Sequence, residues 1–323
     1  MNRDIRFYDF EFNLLHIEPS FKSVNWTVYY NRVGNFEAHF DLKSELTKVL
    51  FENTYVVAVQ GSFAAIVTGK RITNELAVYG RTLNWLIGKR VTPKFGHTTG
   101  TAETLTRSFF NNAFYDIAEK EDGIFFSCES EFEREFTFWR NTFHPTIDVI
   151  CDCLDREDGG NELVFLPLEK RWKFRIYKGR ELNLVISEDN KNAFDLKYNG
   201  DILSLCSEGL YEWVNDETDL TEVGRIVRDA EKEGIYRWEC CLDATSEDSA
   251  ISEVSKKVEK KTVTAKCNLE YLTDYKIGDI VSVQINRGSL KTTIRKRIKG
   301  VKYQCEAGVF EFQPVFEDAE DIT

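Results

Sequence analysis

The chain has 323 residues, 42% of them hydrophobic and 13% aromatic, and a formal net charge of -12. That length suits two or three domains, and the apolar content excludes a chain disordered by composition. The acidic balance argues against a general nucleic-acid binder, whose footprint is a basic face.

With 24 Phe and 13 Tyr beside many Val, Ile and Thr, the composition favours strands. Residues 5–9 read as a first strand, 9–13 as a polar turn and 14–17 as the return. Residues 26–30 form a third strand. After the break at Gly34, Phe36, Ala38 and Phe40 alternate onto one face of a fourth. Residues 44–51 are a short helix or loop. Residues 55–59 and 64–68 flank Gln60-Gly61-Ser62, a hairpin signal. Residues 76–80 are another strand, and Leu83, Leu86 and Ile87 then sit at helical spacing.

Residues 91–100 hold Pro93, Gly96 and Gly100 and read as a loop. Thr101 looks like an N-cap for a helix reaching about Lys120, with Leu105, Phe109, Ala113 and Ile117 on one face. Residues 124–127 are a strand. Residues 132–148 are ambiguous, and 147–154 suit either a helix or a strand. An acidic turn over 155–161 precedes strands at 163–166, 172–177, 182–186, 194–198 and 202–206, with Asn199-Gly200-Asp201 as a hairpin turn. In 216–233, Leu220, Val223, Ile226, Val227 and Ala230 fall on one helical face closed by Gly234. Residues 235–242 are a strand, and Ser246 caps a helix over 247–260. Beyond residue 269, strand spacing at Ile277, Val281, Val283 and Ile285, a turn at 286–289, a basic run over 292–303 and Gly308-Val309-Phe310 read as three antiparallel strands.

Candidate chemistry is sparse. His16, His39, His97 and His144 show no zinc spacing. Asp152, Asp155, Glu157 and Asp158 before Gly159 are out of phase for a calcium loop, so a solvated turn is the better reading. No nucleophile elbow, P-loop or dinucleotide fingerprint occurs. Cys128, Cys151, Cys153, Cys206, Cys240, Cys241, Cys267 and Cys305 lack metal or redox spacing. As strand residues, Cys151 and Cys153 share a face, whereas Cys240 and Cys241 oppose each other. All eight read as reduced thiols used as small hydrophobes, which implies assembly in a reducing cytoplasm. In Arg295-Lys296-Arg297-Ile298-Lys299, alternation places Arg295, Arg297 and Lys299 on one face and Ile294, Lys296 and Ile298 on the other. A solvated or subunit-facing surface meeting acidic neighbours is preferred there to DNA or RNA binding. No signal-peptide core and no stretch near the ~20 apolar residues of a membrane span is present, so neither export by a classical signal nor a membrane anchor is expected.

Several landmarks in order resemble the tail-hub family of long-tailed bacteriophages, the tail-associated or baseplate hub proteins. They are Ile5-Arg6-Phe7-Tyr8-Asp9 with Phe12-Asn13-Leu14-Leu15, Trp26 with Tyr29-Tyr30, and Gly34-Asn35-Phe36-Glu37. Val78-Tyr79-Gly80-Arg81-Thr82-Leu83, Tyr236-Arg237-Trp238-Glu239 and Tyr275-Lys276-Ile277-Gly278-Asp279-Ile280-Val281 continue the series. The resemblance runs from about residue 5 to 316. It implies a β-rich α+β protein of several small antiparallel β-barrel or sandwich domains with short helices. It also implies a homotrimeric hub, similar to the central baseplate protein of T-even phages, that adapts a hexameric tail tube to the tip and surrounds the DNA and tape-measure channel. The implied partners are the distal tail protein, the tape-measure protein and a tip, fibre or receptor-binding protein, within the virion and after assembly in the host cytoplasm. The domains expected on this basis are a tube-like β domain at 1–90, an inserted α+β domain at 91–164, a second tube-like β domain with helices at 165–261, and a small β barrel with tail at 262–323. No catalytic, cofactor-binding or metal-ligating residue is carried over, because the family marks none, and no enzymatic activity or cofactor is expected. Long members of the family it resembles carry a peptidoglycan-cleaving or receptor-binding extension; here such an activity is expected to reside elsewhere. The alternative reading is a cell-wall-degrading tail enzyme, which a zymogram on bacterial cell walls separates from a hub.

Overall fold

The structure is a computed structural model that describes residues 4–92, 96–114, 116, 123–140, 143–215, 220–244, 247–306 and 309–318. β1 (Ile5–Asp9) and β2 (Leu14–Glu18) form the first hairpin. The Asp9 carboxylate closes it by accepting the N–H groups of Glu11 and Asn13 at 2.9 and 2.8 Å, the turn chemistry that aspartate brings. β3 (Ser23–Tyr29) lies antiparallel to β4 (Asn35–Phe40), with Trp26 opposite Phe36. Phe36, Ala38 and Phe40 are all buried, as their alternation predicts. α1 (Leu46–Glu52) buries Leu46 and Leu50. β5 (Val56–Gln60) and β6 (Phe63–Ile72) turn about Gly61-Ser62, where Gly61 takes φ +60, the left-handed conformation a tight hairpin requires. β7 (Leu76–Thr82) leads into a 3-10 helix, Leu83–Lys89, which accounts for the helical spacing of Leu83 and Ile87.

β8 (Val91–Thr92) and β9 (Gly96–Thr101) precede α2 (Ala102–Ala113). Thr101 does cap this helix: its Oγ1 accepts the Thr104 N–H at 3.3 Å. The helix stops at Ala113, short of the expected Lys120, and Ile117 lies outside the described residues. β10 (Ile124–Cys128), β11 (Glu135–Arg140) and β12 (His144–Pro145) follow. Residues 147–154 belong to α3 (Thr146–Leu154), so Cys151 and Cys153 are buried on a helix and not on a strand face. The 3.6 period of Ile147, Ile150 and Leu154 outweighs the two-residue spacing of the thiols. β13 (Gly159–Leu166) and β14 (Arg171–Lys178) pair as a hairpin, and β15 (Glu181–Ile186) follows.

β16 (Ala193–Asp201) runs straight through the expected turn at Asn199-Gly200-Asp201, and Gly200 is not among the glycines with positive φ. A distant partner explains this, since β16 pairs with β20 (Lys260–Cys267). Between them lie β17 (Glu208–Asn215), β18 (Leu220–Val227), β19 (Glu239–Cys241) and α4 (Glu247–Ser255). The helix expected over 216–233 is the strand β18, which pairs antiparallel with β17 from Glu208↔Val227 to Asn215↔Leu220. Its Thr221, Val223, Ile226 and Val227 are β-branched and pack better on a pleated surface than on a helix. The strand expected at 235–242 shrinks to β19, behind a 3-10 turn at Gly234–Tyr236. α4 ends at Ser255, short of residue 260, and the expected cap Ser246 lies outside the described residues. β21 (Ile280–Arg287), β22 (Leu290–Glu306) and β23 (Val309–Asp318) are the three antiparallel closing strands.

The protein is β-rich, with several sheets and short helices. The largest sheet has eleven strands in the order β15-β21-β22-β3-β4-β7-β6-β5-β1-β2, with β23 paired to β22. No sheet closes on itself among the described residues, and strands near both chain ends share the large one. β10, β14 and β13 form a second sheet, and β18, β17 and β19 a third. The chain divides into two compact units, Met1–Leu196 with Ala265–Thr323, and Lys197–Thr264. In the larger unit, Phe7, Trp26, Phe36, Phe40 and Phe63 anchor one core, and Phe110, Ile150, Trp172 and Phe174 another. Buried Trp26 donates its indole N–H to Gln60 at 2.8 Å, as a buried indole should. In the smaller unit, Tyr211, Leu242, Ala250 and Val254 pack together. No helix among the described residues is long and apolar enough to cross a membrane.

Candidate functional site

Tyr30 stands just past β3, where the large sheet meets α3, β13 and the 276–279 turn. Its hydroxyl donates to the Asp158 carbonyl at 2.8 Å and accepts the Gly179 N–H at 2.9 Å. Its backbone N–H donates to the Lys299 carbonyl at 2.7 Å, and its carbonyl accepts the Asn161 N–H at 3.0 Å. Burial pushes its phenol up to about 12, with Arg297 pulling the other way. The Arg297 guanidinium sits over the ring, 5.4 Å from its centroid, a favourable cation–π placement. Arg297 is buried, donates to the Gly278 carbonyl at 3.0 Å and pairs with Asp158 at 2.9 Å. Buried Asp279 accepts the N–H groups of Arg180 and Lys276 at 3.1 and 2.8 Å. Two glycines make room for the ring: a Cβ on Gly160 or Gly278 would fall 2.1 or 2.3 Å from Tyr30 Cε2.

A chain of buried amides continues the junction. Asn31 donates to the Cys151 carbonyl at 2.8 Å and to Asp155 at 2.7 Å. Asn161 donates to Asn31 at 2.5 Å, and Asn84 donates to Asn161 at 2.6 Å while accepting the Leu163 N–H at 2.6 Å. Donors and acceptors here match within the chain, which rigidifies a buried polar network. The arrangement braces three elements against one another.

The acidic turn is part of that brace and not a solvated loop. Asp155 pairs with Arg32 at 2.7 Å; the guanidinium is partly buried, which opposes its charge, yet Asp155 more than compensates and its pKa lies above the usual arginine value. Glu157 accepts the N–H groups of Ala102 and Arg134 at 3.3 and 3.2 Å, so it serves the first turn of α2. Among the described residues, no three His, Cys, Asp or Glu side chains converge to hold a metal ion. The basic strand does meet acidic neighbours: Arg295 pairs with Glu181 at 3.0 Å and Lys299 with Glu317 at 3.6 Å. Its expected alternation breaks, however, because Lys296, Arg297 and Ile298 are all buried. The β22–β23 register shifts between Ile298 and Gly300, and the Gly278 and Asp279 backbone covers Ile298. A bulge changes which side chains face inward.

Among the described side chains, which do not include that of His97, the histidines do not come together. His16 lies 3.6 Å from Glu18, His144 is exposed in β12, and His39 lies between Glu75 at 2.6 Å and Glu37 at 2.9 Å. Partial burial disfavours the His39 imidazolium, but hydrogen bonds to the two carboxylates outweigh it and raise its pKa. A pKa raised by folding means that protonation favours the folded state. The contribution is fully present below the ordinary histidine value of about 6.5 and is lost as pH rises through the raised value. His39→Gln should therefore cost about 0.5 kcal/mol at pH 5.5 and nearly nothing at pH 9, a modest figure because the site is solvent-screened. Urea midpoints of both proteins at the two pH values check this.

Open surfaces of the larger unit lie beside the Tyr30 junction and at the edges of the large sheet. A cleft of about 590 Å³ lies beside the junction, lined by Phe63, Leu163 and Tyr271 and by Glu162, which pairs with Arg175 at 2.8 Å. Among the described residues the large sheet also has edge strands, β15 and β2 among them, and Leu14 and Ile17 of β2 are 49% and 42% exposed. Edge strands with exposed apolar residues are templates for pairing. Sequence reading singled out Tyr30 and Gly278 as landmarks but missed their meeting with Arg297; buried charge inside a basic run carries no local signal.

The sequence profile of the family described as Siphovirus ReqiPepy6 Gp37-like protein matches residues 4–205. No curated protein matches the chain. Solved structures do. Prophage tail protein gp18 from Listeria monocytogenes EGD-e aligns with a TM-score of 0.62 at 12% identity, over 99% of this chain and 96% of that one. The 43 kDa tail protein of prophage MuSo2 from Shewanella oneidensis aligns with a TM-score of 0.61 at 10% identity, over 98% of each chain. A tail protein from Neisseria meningitidis MC58 aligns at 0.60 and 11% identity, over 98% and 96%. At these identities the likeness is one of fold, and it spans both chains almost entirely.

Proposed function

The chain belongs to the Siphovirus ReqiPepy6 Gp37-like family, and from that premise we propose that it is a structural virion protein, the trimeric hub of a phage tail tip or baseplate. The observation that carries this reading is the end-to-end match of its fold to phage tail proteins. The open sheet edges support it, because copies arranged in a ring have strands β2 and β15 through which to meet. On this reading each copy contributes two tube-like domains, so that three copies continue a hexameric tube. The distal tail protein and the tape-measure protein lie on one side, and a tip, fibre or receptor-binding protein on the other. The net charge of -12 suits a body around a DNA channel, since like charges repel. The braced junction at Tyr30 suits a part that must transmit load without yielding.

Light scattering on the purified protein over a range of concentrations tests the assembly. A mass of three chains with ring-shaped particles by negative stain is the expected result. One chain mass at every concentration, with no rings in the presence of tail-tube protein, would overturn the trimer. A zymogram band on bacterial cell walls, lost on carboxylate substitution, would replace the structural role with an enzymatic one.

A further inference from the structure

Cys206 and Cys240 stand 34 positions apart, yet their sulfurs lie 2.9 Å from each other. We propose that they form a reversible disulfide when the protein leaves a reducing environment. Cys206 is 1% exposed and belongs to the core of the smaller unit, while Cys240 is half-buried on β19 and packs against that core. The backbone around them is fixed independently of the thiols. Ser207 N–H donates to the Trp238 carbonyl at 2.8 Å, and Ser207 Oγ accepts the Trp238 N–H at 2.9 Å. Cys206 N–H donates to the Lys257 carbonyl at 3.1 Å, and Cys240 is held opposite Gly209 in the β17–β19 ladder. The sulfurs are within about 0.9 Å of the ~2.04 Å bond length, so small side-chain rotations suffice to join them. Cys241, exposed on the opposite face of the strand, is not part of the pair.

The bond needs a two-electron oxidant, and a small-molecule disulfide supplies it. The Cys240 thiolate, the more accessible of the two, attacks one sulfur of the oxidant, forms a mixed disulfide and expels one small thiolate. The Cys206 thiolate then attacks Cys240 Sγ, forms the protein disulfide and expels the second. The two thiol protons and the two electrons given up by the protein end on the two released small thiols, so the oxidant's sulfur–sulfur bond is reduced as the protein's forms. Burial, and then the contact with Cys206, pushes the Cys240 thiol up to about 12, so the exchange is slow near neutrality. Such a pair stays reduced during assembly and closes later. That timing rests on the virion reading, whereas the cross-link itself rests only on the geometry.

The small unit holds 68 residues, 197–264, a size at which a core alone gives limited stability and covalent staples are common. Its function would be served by a lock that tightens after release. The test incubates the full chain at pH 8.5 with oxidised glutathione, removes the reagent, and counts thiols after unfolding. The expected result is a fall from eight free thiols to six, with a non-reduced peptide map joining Cys206 to Cys240. Proteolysis that requires opening of the unit should slow by about a hundredfold, and dithiothreitol should restore the original rate. Cys241→Ser should oxidise as the wild type does, and Cys240→Ala should keep its remaining seven thiols. Eight thiols persisting in the wild type, or a map showing Cys241 or intermolecular bonds in place of the Cys206–Cys240 link, would overturn the proposal. The wild-type map decides the matter even if a variant fails to fold. Because it is read on the isolated chain, it stands or falls separately from the hub assembly.

Discussion

Arg297→Met is expected to destabilise the larger unit by about 3–5 kcal/mol, the usual cost of breaking a buried ion pair on one side only. Arg297 is 5% exposed and serves three groups at once: the Asp158 carboxylate, the Gly278 carbonyl and the Tyr30 ring. Methionine fills similar space, so the loss is one of charge and hydrogen bonding more than of volume. Asp158 and the Gly278 carbonyl are then left without their cation. Adding Asp158→Asn should recover part of the loss, because it removes the stranded charge. Arg297→Lys should recover less than half, since a single ammonium cannot reach both partners in the geometry of the planar fork. Urea unfolding of the four proteins measures all of this. A loss below about 1 kcal/mol for Arg297→Met would show that the junction is not held by this cation.

Gly278→Ala is expected to cost about 2–5 kcal/mol, by two additive routes. Its φ of +97 is one an L side chain adopts only under strain, at about 1–2 kcal/mol. Its new methyl would also fall 2.3 Å from Tyr30 Cε2, and forcing a packed ring aside adds about 1–3 kcal/mol. Gly288 separates the two routes. It has φ +58 but nothing within 4 Å of an added Cβ, so Gly288→Ala should show only the conformational cost of about 1–2 kcal/mol. Denaturation midpoints of the two variants give the difference directly. Equal losses at the two glycines would mean that the Tyr30 ring yields freely and that the junction is softer than its hydrogen bonds indicate.

What was legible in the sequence was local. Alternation in Phe36, Ala38 and Phe40, the Gly61-Ser62 turn, the Thr101 cap and the three closing strands all arise from interactions within about a dozen residues, and each is found. The failures come where a distant partner decides. Asn199-Gly200-Asp201 favours a turn in isolation, but β16 pairs with β20 and the segment stays extended. The spacing of Leu220, Val223, Ile226 and Val227 fits a helix, yet β17 makes it an edge strand. The candidate site follows the same rule. Tyr30 and Gly278 were visible as landmarks, and Arg297 as one of several basic residues, but a brace linking positions 30, 158, 278 and 297 leaves no mark on periodicity. Cys206 and Cys240 were read as separate small hydrophobes because their proximity depends on how β17 and β19 align.

The pairing of β3 with β22 has a consequence for how this protein is made. Val24 and Trp26 find their ladder partners in Cys305 and Tyr303, residues translated long after them. Until β22 is made, the inner strand of the large sheet therefore waits with one hydrogen-bonding edge unfilled. Contacts of such long sequence separation slow folding and prolong the exposure of sticky strand edges to other nascent chains. Folding of the large sheet is thus a race between synthesis of β22 and aggregation, and polypeptides cut short before residue 300 enter that race without the strand that ends it.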